Sequence, residues 1–149
     1  MNNLNIYNFN ELLLENKLSS KDMDFLVLKL KEYEYQEPDF FDYSDTLRNI
    51  FTGEYLTFLV KRGNEPRVLV VLKIKETIKR ERYLYIVLIT GSKEDDLSSH
   101  YLLNNLLEHC CRENKLIKIV ADGRLGWEKY ASMFGFQKRY VTYVKDVHQ

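Results

Sequence analysis

The chain has 149 residues, of which 45% are hydrophobic and 30% charged, with only 6 Gly and 2 Pro, a composition that excludes disordered and fibrous chains. Lys+Arg and Asp+Glu are 22 each, so no net field draws the chain to nucleic acid or to an anionic membrane surface. No stretch approaches the ~18 apolar residues of a membrane span, and one domain over residues 1–149 is the expectation at this length.

In chain order, Leu4–Phe9 alternates weakly and reads as a first strand. Met1–Asn5 has neither the basic start nor the apolar run of a secretory signal. Ser19-Ser20-Lys21-Asp22 then precedes Met23, Phe25, Leu26, Leu28, Leu30 and Tyr33, which predicts a capped helix of about three turns, stopped at Glu37-Pro38. A short helix is predicted over Asp45–Phe51, capped by Ser44 or Asp45.

From Gly53 β-branched and aromatic residues take over. Tyr55–Val60 and Val68–Ile74 read as strands joined by a loop at Lys61–Pro66, and Lys79-Arg80-Glu81 as a second turn. Tyr83–Thr90 is a nearly unbroken apolar run, which predicts a central strand buried on both faces. A helix follows, with Asp95 or Asp96 as its cap, a stripe of Leu102, Leu103, Leu106, Leu107 and Cys110, and Asn114 as the left-handed residue that ends it. Leu116–Val120 is a short strand and Asp122-Gly123-Arg124 a turn. A last helix carries Trp127, Tyr130, Ala131 and Phe134 up to Gly135, and Tyr140–Val147 is expected to close the sheet.

The two cysteines, Cys110 and Cys111, are adjacent and point about 100° apart on a helix. A reduced, partly buried pair and a cytoplasmic setting are expected. His100, His109 and His148 lack ligand spacing, so no metal is expected. Phe40, Phe41 and Tyr43 either cover the sheet or mark a partner surface, the former being preferred.

Two segments stand out together: Tyr85-Ile86-Val87-Leu88-Ile89-Thr90 followed by a loop and a Leu-rich helix, and a helix running into Phe134-Gly135-Phe136. In this order they resemble the GNAT superfamily of acyl-CoA-dependent N-acetyltransferases, best from Arg82 to Val147 and fairly from Tyr55. The resemblance implies an α/β (α+β) domain with a mixed sheet, acetyl-CoA as cofactor, and direct acyl transfer to an amine on a small molecule or protein. A homodimer is left open. Val87, Leu88, Ile89 and Thr90 would offer backbone groups to the pantetheine. Phosphates would meet the following loop and helix start through Lys93, Ser98, Ser99 and His100.

In the family that loop carries Q/R-x-x-G-x-G/A. Asp95-Asp96-Leu97-Ser98-Ser99-His100 occupies the matching positions here, with Ser98 for the first glycine and His100 for the second. The family's acid, a Tyr four residues before the glycine of Gly-Phe, falls on Ala131, with Tyr130 one place earlier. Tyr130 and Tyr85 are the candidate catalytic residues, and the strand from Arg82 to Thr90 contains no carboxylate to act as base. The alternative is a GNAT-fold module that has lost acetyl-CoA and works by binding another protein.

Overall fold

Alternating and helical apolar patterns give a five-stranded mixed sheet with helices on both faces. The structure, a computed structural model, describes residues 3–91, 97–122, 128–140 and 143–147, the side chains of 97–99 and 128–130 excepted. Its elements are β1 (Leu4–Asn8), α1 (Phe9–Leu14), α2 (Ser20–Gln36), α3 (Tyr43–Phe51), β2 (Leu56–Arg62), β3 (Glu65–Glu76), β4 (Arg82–Gly91), α4 (Leu97–Asn114), β5 (Ile119–Ala121) and α5 (Glu128–Met133). The strands lie in the order β1-β2-β3-β4-β5. The first four pair antiparallel and β5 joins β4 in parallel, so α4 is the crossover between them.

The helix ends follow from local chemistry. Ser19 caps α2 in a reciprocal box: its hydroxyl accepts from the Asp22 N–H, and Asp22 accepts from the Ser19 N–H. The helix runs 17 residues, longer than its apolar pattern predicts, and stops where Pro38 biases Glu37 away from helical angles. Asp42 caps α3 by accepting from the Ser44 N–H, so the cap lies two residues before the nearer predicted one. The six residues of α1 start on an Asn8 cap and were not foreseen, because three consecutive leucines carry no period. At the end of α4 the left-handed residue is Lys115, not Asn114. Asn114 stays helical and donates its side-chain amide to the Cys110 carbonyl.

β2, β3 and β4 are longer than predicted, whereas β1 ends one residue earlier, at Asn8, and β5 covers Ile119–Ala121 and not Leu116–Val120. β2 and β3 leave only Gly63-Asn64 as their loop, with Gly63 at φ 61°, the positive angle that a two-residue hairpin needs. Pro66 is tolerated inside β3 because the register shifts beside it: Val60 faces Val68, but Lys61 faces Pro66. The segment expected to close the sheet is not a strand in its described parts, residues 140 and 143–147, and Tyr140, Tyr143, Val144 and Val147 are exposed.

Two cores sandwich the sheet. Under α4 lie Val60, Val68, Val70, Leu72, Leu84 and Ile86, met by Leu103, Leu106, Leu107, Cys110 and Cys111. Under α1, α2 and α3 lie Leu59, Leu69, Val71 and Leu88, met by Phe9, Leu26, Leu30 and Ile50. Each fully buried Leu or Phe contributes roughly 1.5–3 kcal/mol relative to an exposed one. Phe41 stacks edge-on against Tyr33 and with Tyr43 joins the second core, whereas Phe40 is 74% exposed.

Candidate functional site at the split between two parallel strands

The expectation that β4 is buried on both faces holds for only part of it. Leu84, Ile86 and Leu88 are buried, while Tyr83, Tyr85, Val87, Ile89 and Thr90 are half-exposed. A bulge then interrupts the alternation at Val87. Leu72 of β3 faces Ile86, yet its neighbour Val71 faces Leu88, so Val87 has no opposite number. The extra residue reverses the pleat. Leu84 and Ile86 point to α4, but Val87 and Leu88 both pack toward α2, and Ile89 returns to the α4 side.

At the same point β4 leaves β5. Their pairing runs Leu84↔Ile119, Tyr85↔Val120 and Ile86↔Ala121, and then ends. On its other side β4 stays paired with β3 as far as Gly91, opposite Val68. Among the described residues, no strand therefore pairs with the β5-side edge of β4 from Val87 to Gly91. The candidate site is this edge, next to the end of pairing at Ile86–Ala121, with α4 beginning six residues beyond Gly91. Lys29 of α2 ties down the end of β4 by donating to the Gly91 carbonyl at 3.3 Å.

On the α2 face, the apolar floor gives way to polar groups at this point. Lys73 is the cross-strand partner of Tyr85, and Lys75 that of Tyr83. The Lys73 ammonium lies 5.8 Å from the ring centre of Tyr55, and that of Lys75 lies 3.7 Å from the ring centre of Tyr85. The Tyr85 hydroxyl donates to a carboxylate oxygen of Asp122, the residue just past β5. Burial, and then the hydrogen bond and charge of Asp122, hold the Tyr85 phenol above the ordinary tyrosine range, with Tyr33 and Tyr83 adding to the effect. Tyr85 is thus a fixed neutral donor, and not a base. Cys110, pushed up to about 11 by burial, and Cys111, raised for the same reason, are poor nucleophiles.

Tyr85, Val87, Leu88, Ile89 and Thr90 all lie on β4, Val87 to Thr90 along the stretch beyond its pairing with β5. Ser98, Ser99 and His100 fall in the first turn of α4 and not in a loop, and His100 is half-buried. Lys93 and the proposed caps Asp95 and Asp96 lie outside the described residues, as does the side chain of Tyr130. Gly135 has the positive φ (83°) expected of it, and the Phe136 N–H returns to the Ala131 carbonyl. Asp122, Lys73, Lys75, Tyr33 and Tyr55 were not singled out from sequence. Two signals were available. The run Val68–Leu72 changes abruptly to Lys73-Ile74-Lys75, and an acid directly follows a parallel strand, at the carboxyl end where α/β sheets bind ligands.

Two surface grooves include no residue of β4 or β5. One, of about 570 Å³, is lined by Lys31, Glu34, Tyr35, Pro38 and Tyr43; the other, of about 460 Å³, lies around Lys17, Ser19, Asp22 and Lys61. Among the described residues no cluster of His, Cys, Asp and Glu is arranged to hold a metal, and no helix is long and apolar enough to cross a membrane.

No protein-family model and no curated protein matches the chain. Solved structures do match, over nearly its whole length. A GCN5-related N-acetyltransferase from Ralstonia eutropha superposes with a TM-score of 0.70 at 12% identity, covering 97% of this chain and 99% of its own. A predicted acetyltransferase from Clostridium acetobutylicum, solved with acetyl-CoA, gives 0.64 at 14% identity, with 96% of each chain covered. An aminoglycoside acetyltransferase from an uncultured soil sample, in complex with sisomicin, gives 0.66 at 10% identity, with 97% of each chain covered. The fold is that of the GNAT acetyltransferases, in a single mixed α/β domain.

Proposed function

We propose that the protein is an acyl-CoA-dependent N-acyltransferase that uses the edge of β4 from Val87 to Gly91. The observation that carries this reading is the coincidence of the Val87 bulge with the end of β4–β5 pairing. A strand edge left without a partner strand presents backbone N–H and C=O groups in the spacing that an extended chain of amides can meet. The pantetheine arm of acetyl-CoA is such a chain, so Val87, Leu88, Ile89 and Thr90 suit it.

The first turn of α4, with Ser98, Ser99 and His100, leaves N–H groups without intrahelical partners and carries partial positive charge, which suits a pyrophosphate. Acetyl-CoA would supply an activated thioester: the acyl C–N bond forms as the C–S bond breaks, nitrogen gives up a proton and sulfur takes one.

Asp122 supplies the carboxylate that β4 lacks. One of its oxygens is held by Tyr85, and the other can accept from the ammonium of an incoming amine and take the proton it must lose before attack; the proton that nitrogen sheds after attack balances the one sulfur takes. Tyr85 fixes that carboxylate and, staying neutral, repels no anion nearby. The proton for sulfur is assigned to Tyr130 on α5; Tyr130→Phe should lower kcat without changing the affinity for acetyl-CoA. The cytoplasm, where acetyl-CoA and reduced thiols coexist, is the proposed setting.

The test is calorimetry with acetyl-CoA and with CoA, followed by thiol release with a panel of amines. Saturable binding in the micromolar range and amine-dependent thiol release are expected. No binding at millimolar acetyl-CoA would overturn the reading in favour of a binding module without catalysis.

A further inference from the structure

We propose that the amine acceptor carries an anionic group, a carboxylate or a phosphate, and that Lys73 and Lys75 receive it. The inference rests on the acyl-transfer reading for the role of the amine, but on separate observations for the anion. Lys73 and Lys75 are two residues apart on β3 and so share one face, the same face as Tyr85. Both are half-buried. Among the described residues neither has a carboxylate within ion-pair distance, and their recorded partners are the tyrosine rings of Tyr55 and Tyr85.

Half-buried ammonium groups are normally matched by an acid. The half-buried Lys61 and Lys29 keep that rule: Lys61 pairs with Asp22 at 2.8 Å and Lys29 with Glu32 at 3.3 Å. A ring face attracts a cation without using up its N–H donors. The two lysines are therefore positioned by tyrosines and keep donors for a ligand.

Tyr85 links the two halves of the site. Its ring face touches the Lys75 ammonium and its hydroxyl touches the Asp122 carboxylate. Cation and anion thus flank one tyrosine next to the end of β4–β5 pairing. The complementary ligand reverses that order, with ammonium toward Asp122 and anion toward Lys73 and Lys75. A diamine would place its second charge against two lysines, so the site selects against polycationic acceptors as well as for anionic ones.

The experiment is a titration of the intact protein with 2-aminoethyl phosphate, β-alanine, ethanolamine and butane-1,4-diamine, with CoA present and absent. It is read by backbone amide shifts at Lys73, Lys75 and Tyr85 and by calorimetry. The anionic amines are expected to bind about 10- to 100-fold tighter than ethanolamine, the margin a charged hydrogen-bond pair gives, with the diamine weakest. The phosphate and carboxylate arms show which anion the lysines prefer.

The double variant Lys73→Met, Lys75→Met should abolish the preference, and Lys73→Arg, Lys75→Arg should retain most of it, which separates lost charge from lost folding. Equal affinity for ethanolamine and the anionic amines, tighter binding of the diamine, no shift at Lys73 and Lys75 with the anionic probes, or a preference that survives the Met pair would overturn the proposal. Anion binding without any acetyl-CoA binding would instead sink the acyl-transfer reading and leave the anion site standing.

Discussion

Lys61→Met is the sharpest test of how α2 is held on the sheet. Asp22 is fully buried in the first turn of α2, and the Lys61 side chain, on β2, is 12% exposed. One Asp22 oxygen accepts from Lys61 at 2.8 Å and from the Ser19 N–H at 3.2 Å, while its other oxygen has no hydrogen-bond partner. Methionine keeps an unbranched apolar stem but removes the charge, and with it the ammonium that lies 5.0 Å from the Tyr7 ring centre. A buried carboxylate is then left with one amide donor. Breaking a buried pair in this way costs about 3–5 kcal/mol, a large part of the ~5–15 kcal/mol that stabilises a domain.

Ser19→Ala removes only the cap and should cost about 1 kcal/mol. The double variant Asp22→Asn, Lys61→Met keeps an acceptor for the Ser19 N–H but buries no charge, so it should be more stable than Lys61→Met alone. Urea unfolding measures all three. For Lys61→Met a fall in Tm of about 6–20 °C is expected from the same loss. A cost below about 1 kcal/mol with an unchanged m-value, or a double variant weaker than the single one, would refute the reasoning, because it would mean that water solvates Asp22 as well as Lys61 does.

The site itself makes further predictions. Asp122→Asn should lower kcat/KM for amine acylation by about 10²-fold or more at neutral pH while sparing acetyl-CoA binding, the size expected for a lost proton acceptor; steady-state kinetics and calorimetry check both halves. Because the Tyr85 phenol is raised when folded, its contribution to stability is complete below the unfolded value near 10 and is lost as pH rises above it. Tyr85→Phe should therefore flatten the alkaline part of the stability curve, measured as urea midpoints from pH 8 to 11. Cys110, at about 11 when folded against ~8.5 when unfolded, likewise withdraws stability between those values. Iodoacetamide at pH 8 should label the native protein far more slowly than the urea-unfolded chain. Gly135→Ala should cost about 1–2 kcal/mol from backbone strain alone, since φ is 83° and no atom lies within 4 Å of an added Cβ; a much larger loss in urea unfolding would point to a packing contact instead.

Much of the fold was legible because its signals are local. Ser19 and Pro38 bracket α2, the Leu103, Leu106, Leu107 stripe marks α4, and Gly135 marks the end of α5. The Phe9–Leu14 helix was hidden because its leucines lack a period, and the cap of α3 because Asp42 lies outside the predicted span. The carboxyl-terminal segment misled for the opposite reason. Tyr140, Tyr143, Val144 and Val147 have strand-forming side chains, yet they are exposed and the described residues around them are not strand. The site was harder to read because its parts are distant in sequence. Asp122 reaches Tyr85 across 37 positions, and Lys73 meets Tyr85 only through a register that the bulge resets. Periodicity reports which way a side chain points within a strand, but it carries no information about which strand lies alongside.

The bulge at Val87 resolves a conflict that a regular β4 could not. A strand fully paired on both sides spends all its backbone groups internally and alternates its side chains without interruption. Here β4 buries Leu84 and Ile86 against α4, offers Tyr85 to Asp122, and in the proposed function leaves one edge to a ligand. The extra residue turns Val87 and Leu88 to the same face, at the point where pairing with β5 ends, while β3 still holds the strand to Gly91. In the proposed function the edge from Val87 to Gly91 finds hydrogen-bond partners in a ligand with a row of amides. Replacing the bulge by a regular pair, through deletion of Val87, should close this edge: β5 would be free to pair beyond Ala121, stability in urea should hold or rise, and acetyl-CoA binding should fall by at least about 10-fold, the equivalent of one or two lost hydrogen bonds. Undiminished binding in a folded deletion variant would show that the split strand is not where the thioester lies.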